Sequence, residues 1–270
     1  MKKLLLNFLV LFMATGFAFA QAKPYTIAIG GSTSVNPLMQ LLTAEYAKSN
    51  SNVKFTISAT GSGDGIKGVP AGTCEIGMSS RDLTPAEIGT GIDTLVCAVD
   101  GIALVVNTKN PVANLAQAQI KDIYTGAITR WEQLGAAANG KTGAIAVIAR
   151  EPNSGTRGPI EELLQFQDQL VKGATEFDST GAVMAEVSRN ADAIGYDSLG
   201  SVNGSVKAIS VDGVAATTAN VVAGSYKIAR PFILLTRKNA PVNAQTKAFL
   251  DWIMGSEGQN IVKRSWISVK

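Results

Sequence analysis

The chain contains no histidine. That removes Ser-His-Asp and Cys-His nucleophilic mechanisms and the commonest general base. Cysteine is nearly absent as well: Cys74 and Cys97 are the only two. Two thiols without a histidine cannot complete a structural zinc site of the usual kind, so no metal is expected. Charged residues make up 17% of the 270 positions and aromatics 6%, with a net charge of +3. Basic residues are not clustered or interleaved with aromatics, so no nucleic-acid partner is expected. Beyond residues 1–20, no apolar run is long enough to span a bilayer.

What is present begins with "MKKLLLNFLVLFMATGFAFA". Lys2 and Lys3 form a basic start, Leu4 to Phe12 is almost wholly apolar, and Ala18-Phe19-Ala20 has the small-x-small form of a cleavage site. Residues 1–20 are expected to be a secretory signal peptide cut after Ala20. No cysteine near that site would carry a lipid, so a periplasmic location without a lipid anchor is expected. Without Lys2 and Lys3 the charge falls close to zero. Two cysteines in an exported chain permit one disulfide, Cys74–Cys97; two buried free thiols are the alternative.

Strand and helix patterns then alternate. "YTIAIGGSTS" starts as a strand and ends in a glycine-hydroxyl turn, and "NPLMQLLTAEYAKSN" has apolar residues at helical spacing. Ser34 or Asn36 suits the cap, with Pro37 in the first turn. "VKFTISA" and "CEIGMSS" read as further strands, and "TLVCAVDGIALVVN" as a long apolar strand pair. "AIAVIAR" precedes a turn and a helix, "SYKIARPFILLTRK" is a strand carrying a proline, and the chain closes with helices. This order predicts an α/β fold with largely parallel sheet. No low-complexity linker occurs, so two lobes would be joined by crossing strands, near Val105–Asn107 and Ala229–Pro231.

Four strand ends carry small hydroxyl residues. They are Gly31-Ser32-Thr33-Ser34, Gly61-Ser62-Gly63-Asp64-Gly65, Ser79-Ser80-Arg81 and Asn153-Ser154-Gly155-Thr156. One such turn merely caps a helix. Four at the carboxyl ends of one sheet would line its ligand crevice with N–H groups and hydroxyls. Helix N-termini there favour a compact oxyanion. Arg150 would supply a fixed charge whose fork makes paired hydrogen bonds to an oxyanion; a salt bridge to Glu151 or Asp64 is the plainer reading. Arg81 is a second cation, which could instead pair with Asp82.

These stretches carry a resemblance. "GGSTSVNPLM", "ATGSGDGIKG", "CEIGMSSRDL", "DGIALVVN", "ITRWEQLG" and "REPNSGTR" stand in the order found in exported phosphate-binding proteins of phosphate ABC importers. The likeness spans essentially the whole exported chain. It implies a two-lobed periplasmic-binding-protein fold of type II-like form, each lobe a mostly parallel sheet flanked by helices. Lobe one would be 23–106 plus 231–270, and lobe two 107–230. It also implies inorganic phosphate held between the lobes, a membrane permease of an ABC importer as partner, a monomer, no cofactor and no catalysis. By position the contacts would be Thr33, Ser34, Ser62, Ser80, Arg150, Ser154, Gly155 and Thr156. Ser32, Gly63, Asp64 and Arg81 are secondary candidates.

Two departures stand out. Some members end the third of these strands in an aspartate, which accepts the proton phosphate carries and repels sulfate; Ser80 stands here. Asp64 is the candidate substitute, against its reading as a carboxylate favoured by a helix N-terminus. Pro152 replaces an acid that orients the arginine in relatives, so Glu151 or another group must do so. Rival readings are a receptor for sulfate, molybdate or tungstate, and a phosphate sensor without transport. A serine phosphatase lacks a residue placed to activate water. A Ser51-x-x-Lys54 match to penicillin-binding enzymes fails because Ser51 precedes a strand.

Overall fold

The computed structural model describes residues 24–238 and 240–270. The expected signal peptide, 1–20, lies outside them. The first third of the chain builds β1 (Tyr25–Gly31), α1 (Asn36–Ser49), β2 (Val53–Ala59), α2 (Ser62–Ala71), β3 (Ile76–Ser79), α3 (Pro85–Ile88) and β4 (Ile92–Asn107). The middle adds β5 (Asn114–Leu115), α4 (Gln117–Thr125), β6 (Ala146–Arg150), α5 (Arg157–Leu163), β7 (Thr175–Phe177), α6 (Thr180–Arg189) and β8 (Ala193–Ser198). A 3₁₀ segment, Trp131–Ala138, lies between α4 and β6. The chain ends with β9 (Val206–Ala208), β10 (Ser210–Val211), α7 (Thr218–Val222), β11 (Ala229–Arg237), α8 (Ala244–Ile253) and α9 (Ser256–Val262).

The main sheet runs β2-β1-β3-β11-β4-β8-β6-β7. Its two ends are parallel, as the βα alternation predicts: β1 with β2 and β3, β6 with β7 and β8. The middle is antiparallel, through β4 and β11. "TLVCAVDGIALVVN" is thus part of one 16-residue strand, not a pair. Glycine at position 101 does not break it, because β4 changes partner there: Ile92–Gly101 pairs with β11 and Ile102–Val106 with β8. Pro231 is tolerated because β3 reaches only Ile233–Leu235 of β11, so the proline stands where β4 is its one ladder partner.

The apolar side chains form separate cores. One joins β1, α1, β3, β11, α8 and α9 through Ile27, Leu38, Met78, Leu234 and Phe249. Another joins β4 beyond Gly101 to α4, β6, α5 and β8 through Leu104, Ile123, Trp131, Ile160 and Tyr196. The cradle described below lies where the two halves meet.

The cysteines are not bridged. Cys74 packs with Ile233 and Leu235 of β11, Cys97 with Leu234. Side chains alternate across a strand, so the two thiols lie on opposite faces of one sheet. The expected disulfide is therefore corrected to two buried free thiols. Burial pushes Cys97 up to about 12. Two thiols should titrate after denaturation, and Cys97 should resist alkylation in the native protein at pH 8. Detection of a single bridged pair in the denatured, unreduced protein would contradict this.

Candidate anion-binding site

Each hydroxyl turn arises where a parallel strand ends and the chain turns into a helix. Gly31 closes β1 at φ +127°, and a Cβ there would lie 2.3 Å from the Met78 carbonyl. Only glycine fits both the angle and the space. Gly65 on α2 is equally confined, its added Cβ falling 2.8 Å from both the Gly30 and Met78 carbonyls. The glycines of "GSGDGIKG" thus let α2 approach β1 and β3 closely, which brings Ser62 against Ser80.

The serine side chains then tie the turns together. Ser32 Oγ accepts from the Ser34 and Val35 amides, both at 3.2 Å, and donates to Ser80 Oγ at 2.8 Å. Ser32 thus fixes the turn leading into α1, and the N-cap position, Val35, has no side-chain cap, so neither Ser34 nor Asn36 caps the helix. Ser62 Oγ accepts from the Ser80 amide at 3.1 Å and meets Ser80 Oγ at 3.3 Å. Ser154 repeats the role of Ser32, accepting from the Thr156 and Arg157 amides at 3.1 and 3.3 Å.

Further contacts join the halves of the molecule. Ser34 Oγ and Thr156 Oγ1 are 2.9 Å apart, and Thr180 Oγ1 donates to Thr33 Oγ1 at 2.9 Å. The Gly63 amide donates to the Asn153 carbonyl at 3.2 Å. Arg230 Nη1 donates to the Gly155 carbonyl at 3.0 Å.

Arg150 closes the arrangement. It ends β6 with its side chain 2% exposed. Nε and Nη2 donate to the two Glu151 carboxylate oxygens, each at 2.9 Å, and to the Phe177 and Asp178 carbonyls, each at 3.1 Å. Glu151 is thus the orienting acid that Pro152 is not. Tyr196 Oη accepts from the Arg150 amide at 3.0 Å, where β6 and β8 have stopped pairing. Among the described residues Nη1 of Arg150 has no hydrogen-bond partner, so one end of the fork stays available. Asp197, the next residue along β8, is buried, and its Oδ2 has no partner among the described residues. Burial pushes its carboxyl well above the usual carboxylate range. Arg150 and Arg230 pull it the other way, but burial is the larger effect.

The structure brings together Ser32, Thr33, Ser34, Ser62, Gly63, Ser80, Arg150, Ser154, Gly155 and Thr156, all buried. Two candidates lie elsewhere. Arg81 donates from Nη1 and Nη2 to both carboxylate oxygens of Glu87, each at 2.8 Å. Glu87 is itself fixed by a capping box with Thr84. Asp64 is exposed in the first turn of α2, where a carboxylate complements the helix dipole. That exposure argues against a role as substitute proton acceptor. Asp64→Asn should leave the phosphate-to-sulfate affinity ratio unchanged in parallel titrations; a ratio altered severalfold would return Asp64 to the site.

Thr180 and Arg230 are missed by reading the sequence alone. Thr180 sits in "DSTG", a fifth hydroxyl-glycine turn before a helix, whose Ser179 accepts from the Ala182 amide at 3.3 Å. That motif is the available signal. Arg230 has none, since its partners are distant in sequence.

Known proteins resemble this chain in sequence and fold. The model of a PBP superfamily domain matches residues 18–257. The phosphate-binding protein PstS of Borreliella burgdorferi is 30% identical over 248 residues, covering 88% of this chain and 87% of that protein. A phosphate ABC transporter substrate-binding protein from Clostridium perfringens, solved with bound phosphate, superposes with a TM-score of 0.87. It is 41% identical, and the match covers 91% of this chain and all of the other. An ABC-type phosphate transport receptor from Vibrio cholerae is 34% identical with a TM-score of 0.72, covering 89% and 99% of the two chains. The chain belongs to the PstS family of phosphate-binding proteins within the PBP superfamily.

Proposed function

We propose that this chain captures inorganic phosphate between its two halves and delivers it to the membrane permease of an ABC importer. The observation that carries the reading is the convergence of buried hydroxyls from both halves beside the end of Arg150. Thr33, Ser34, Ser62, Ser80, Ser154 and Thr156 supply hydroxyl groups, and Gly155 a close backbone approach. Hydroxyls both donate and accept, so they suit an oxyanion that carries a proton of its own. The relatives named above are phosphate-binding and substrate-binding proteins, which supports binding without catalysis. Among the described residues no group of His, Cys, Asp and Glu side chains is placed to hold a metal.

The mechanism is differential binding. The half built on the first core and the half built on the second, which β4 enters beyond Gly101, would each contribute part of the ligand shell. Phosphate would then stabilise the closed arrangement, the only one that offers all contacts at once. Closure removes water, so an anion that mispairs even one donor or acceptor loses affinity. The protein acts as an exported monomer, and passage across the bilayer falls to the permease. No helix among the described residues is long and apolar enough to cross a membrane. Small-angle scattering tests the closure. The radius of gyration should fall on adding phosphate and stay constant on adding sulfate; no change with phosphate would sink the two-lobe mechanism.

A further inference from the structure

Arg230 lies on β11 opposite Asp100 of β4. Both side chains are 1% exposed, and Nη2 of Arg230 meets Asp100 Oδ2 at 3.1 Å. Nη1 reaches in another direction, to the Gly155 carbonyl at 3.0 Å. Asp100 Oδ1 accepts from the Gly200 amide at 3.1 Å. The Phe232 ring centre lies 5.6 Å from the guanidinium carbon. A buried ion pair contributes little net stability against apolar residues of the same volume. What this pair adds is direction: it ties the strand beside β4 to one carbonyl of the loop between β6 and α5.

That carbonyl governs its surroundings. A peptide is planar and trans, so the Gly155 C=O and the Thr156 N–H point in opposite directions. Holding the first on Arg230 fixes the second, which donates to Ser154 Oγ at 3.1 Å. The next group out, the Thr156 hydroxyl, meets Ser34 Oγ at 2.9 Å. Gly155 itself is confined between Ser62 and Ser80, which leave no room for a Cβ. A rotation of this one peptide would disturb all three contacts.

We propose that Arg230 is a positioning residue for the phosphate site, holding the Gly155 carbonyl so that residues 153–156 face Ser34, Ser62 and Ser80. The proposal rests on the reading of that loop as part of the phosphate cradle. Asp100 neutralises the buried charge and aims the guanidinium. Loss of the clamp acts on how long phosphate stays bound, because the loop is then free to turn away from the ligand.

The test compares R230Q, R230K and Arg150→Ala by phosphate titration and by stopped-flow dissociation. All are measured at a temperature where circular dichroism shows each variant fully folded. R230Q should bind phosphate at least about tenfold more weakly, the effect of losing a hydrogen bond to a charged donor, with faster dissociation carrying the loss. R230K keeps the charge for Asp100 but not the fork that reaches Asp100 and the Gly155 carbonyl at once, so it should lose affinity in the same direction as R230Q but by less. Weakened binding in Arg150→Ala with wild-type affinity in R230Q would overturn the positioning role and leave the cradle standing. Wild-type affinity in Arg150→Ala would remove the cradle and the proposal together. Should a lone Asp100 prevent R230Q from folding, R230Q/D100N removes both charges and is held to the same affinity and dissociation criteria.

Discussion

Arg150→Ala should cost roughly 2–5 kcal/mol of phosphate binding, the range for truncating one side of a buried charged contact. The side chain is 2% exposed, so water cannot take its place cheaply. Its Nε and Nη2 are already committed to Glu151 and two carbonyls, which leaves the fork rigid and one end for the ligand. A preset donor gives up little side-chain entropy when the anion arrives. Removal of the guanidinium strands Glu151 as an unpaired carboxylate close to the ligand, which adds repulsion to the lost attraction. Calorimetric titration of the variant reads the effect. A loss under ~1 kcal/mol, the scale of an exposed ion pair, would place Arg150 outside the binding cleft.

The second large effect is expected from Gly155→Ala. Gly155 needs no unusual backbone angle; its constraint is space alone. An added Cβ would lie 2.1 Å from Ser62 Oγ, 2.5 Å from Ser80 Oγ and 2.9 Å from Ser62 Cβ. Ser62 Oγ cannot simply rotate away, since it accepts the Ser80 amide at 3.1 Å. The clash falls between the two halves, so each half can keep its own core while the approach between them fails. Overpacking of this kind costs about 1–3 kcal/mol. Phosphate affinity should fall by that amount, with the far-ultraviolet circular dichroism of wild type retained. Wild-type affinity in a folded Gly155→Ala protein would mean that the halves do not meet this closely around phosphate.

Much of the site is legible because its signals are local. A strand that ends in glycine and serine before a helical pattern shows in a short stretch, as at Ser32, Ser62, Ser80 and Ser154. The same turn at Thr180 is harder to see because β7 is only three residues long and lacks an apolar run. Asp64 is misplaced by its motif although its periodicity is readable: Ser62, Gly65, Ile66 and Val69 face inward on α2, while Asp64 and Lys67 face solvent. Arg81 is misplaced unless the capping box is seen, in which Glu87 is held by Thr84 and so placed for the arginine. Arg230 and Asp100 depend on the pairing of β11 with β4 and on a loop far away in the chain. No local pattern encodes such a contact. A disulfide depends on which sheet face each cysteine takes, and composition does not report that.

The parallel ends of the sheet follow from βα alternation. Its antiparallel centre does not, because the apolar run Ile102–Val106 continues β4 without a break and hides the change of partner at Gly101. That centre is what places the two cores side by side with the hydroxyl turns between them.

The most direct test of the central claim is calorimetric titration of the dialysed protein, lacking residues 1–20, with phosphate, sulfate and molybdate at two pH values. One-to-one phosphate binding without heat from sulfate or molybdate is the predicted result. Binding of sulfate or molybdate in place of phosphate, or of none of the three, would contradict it.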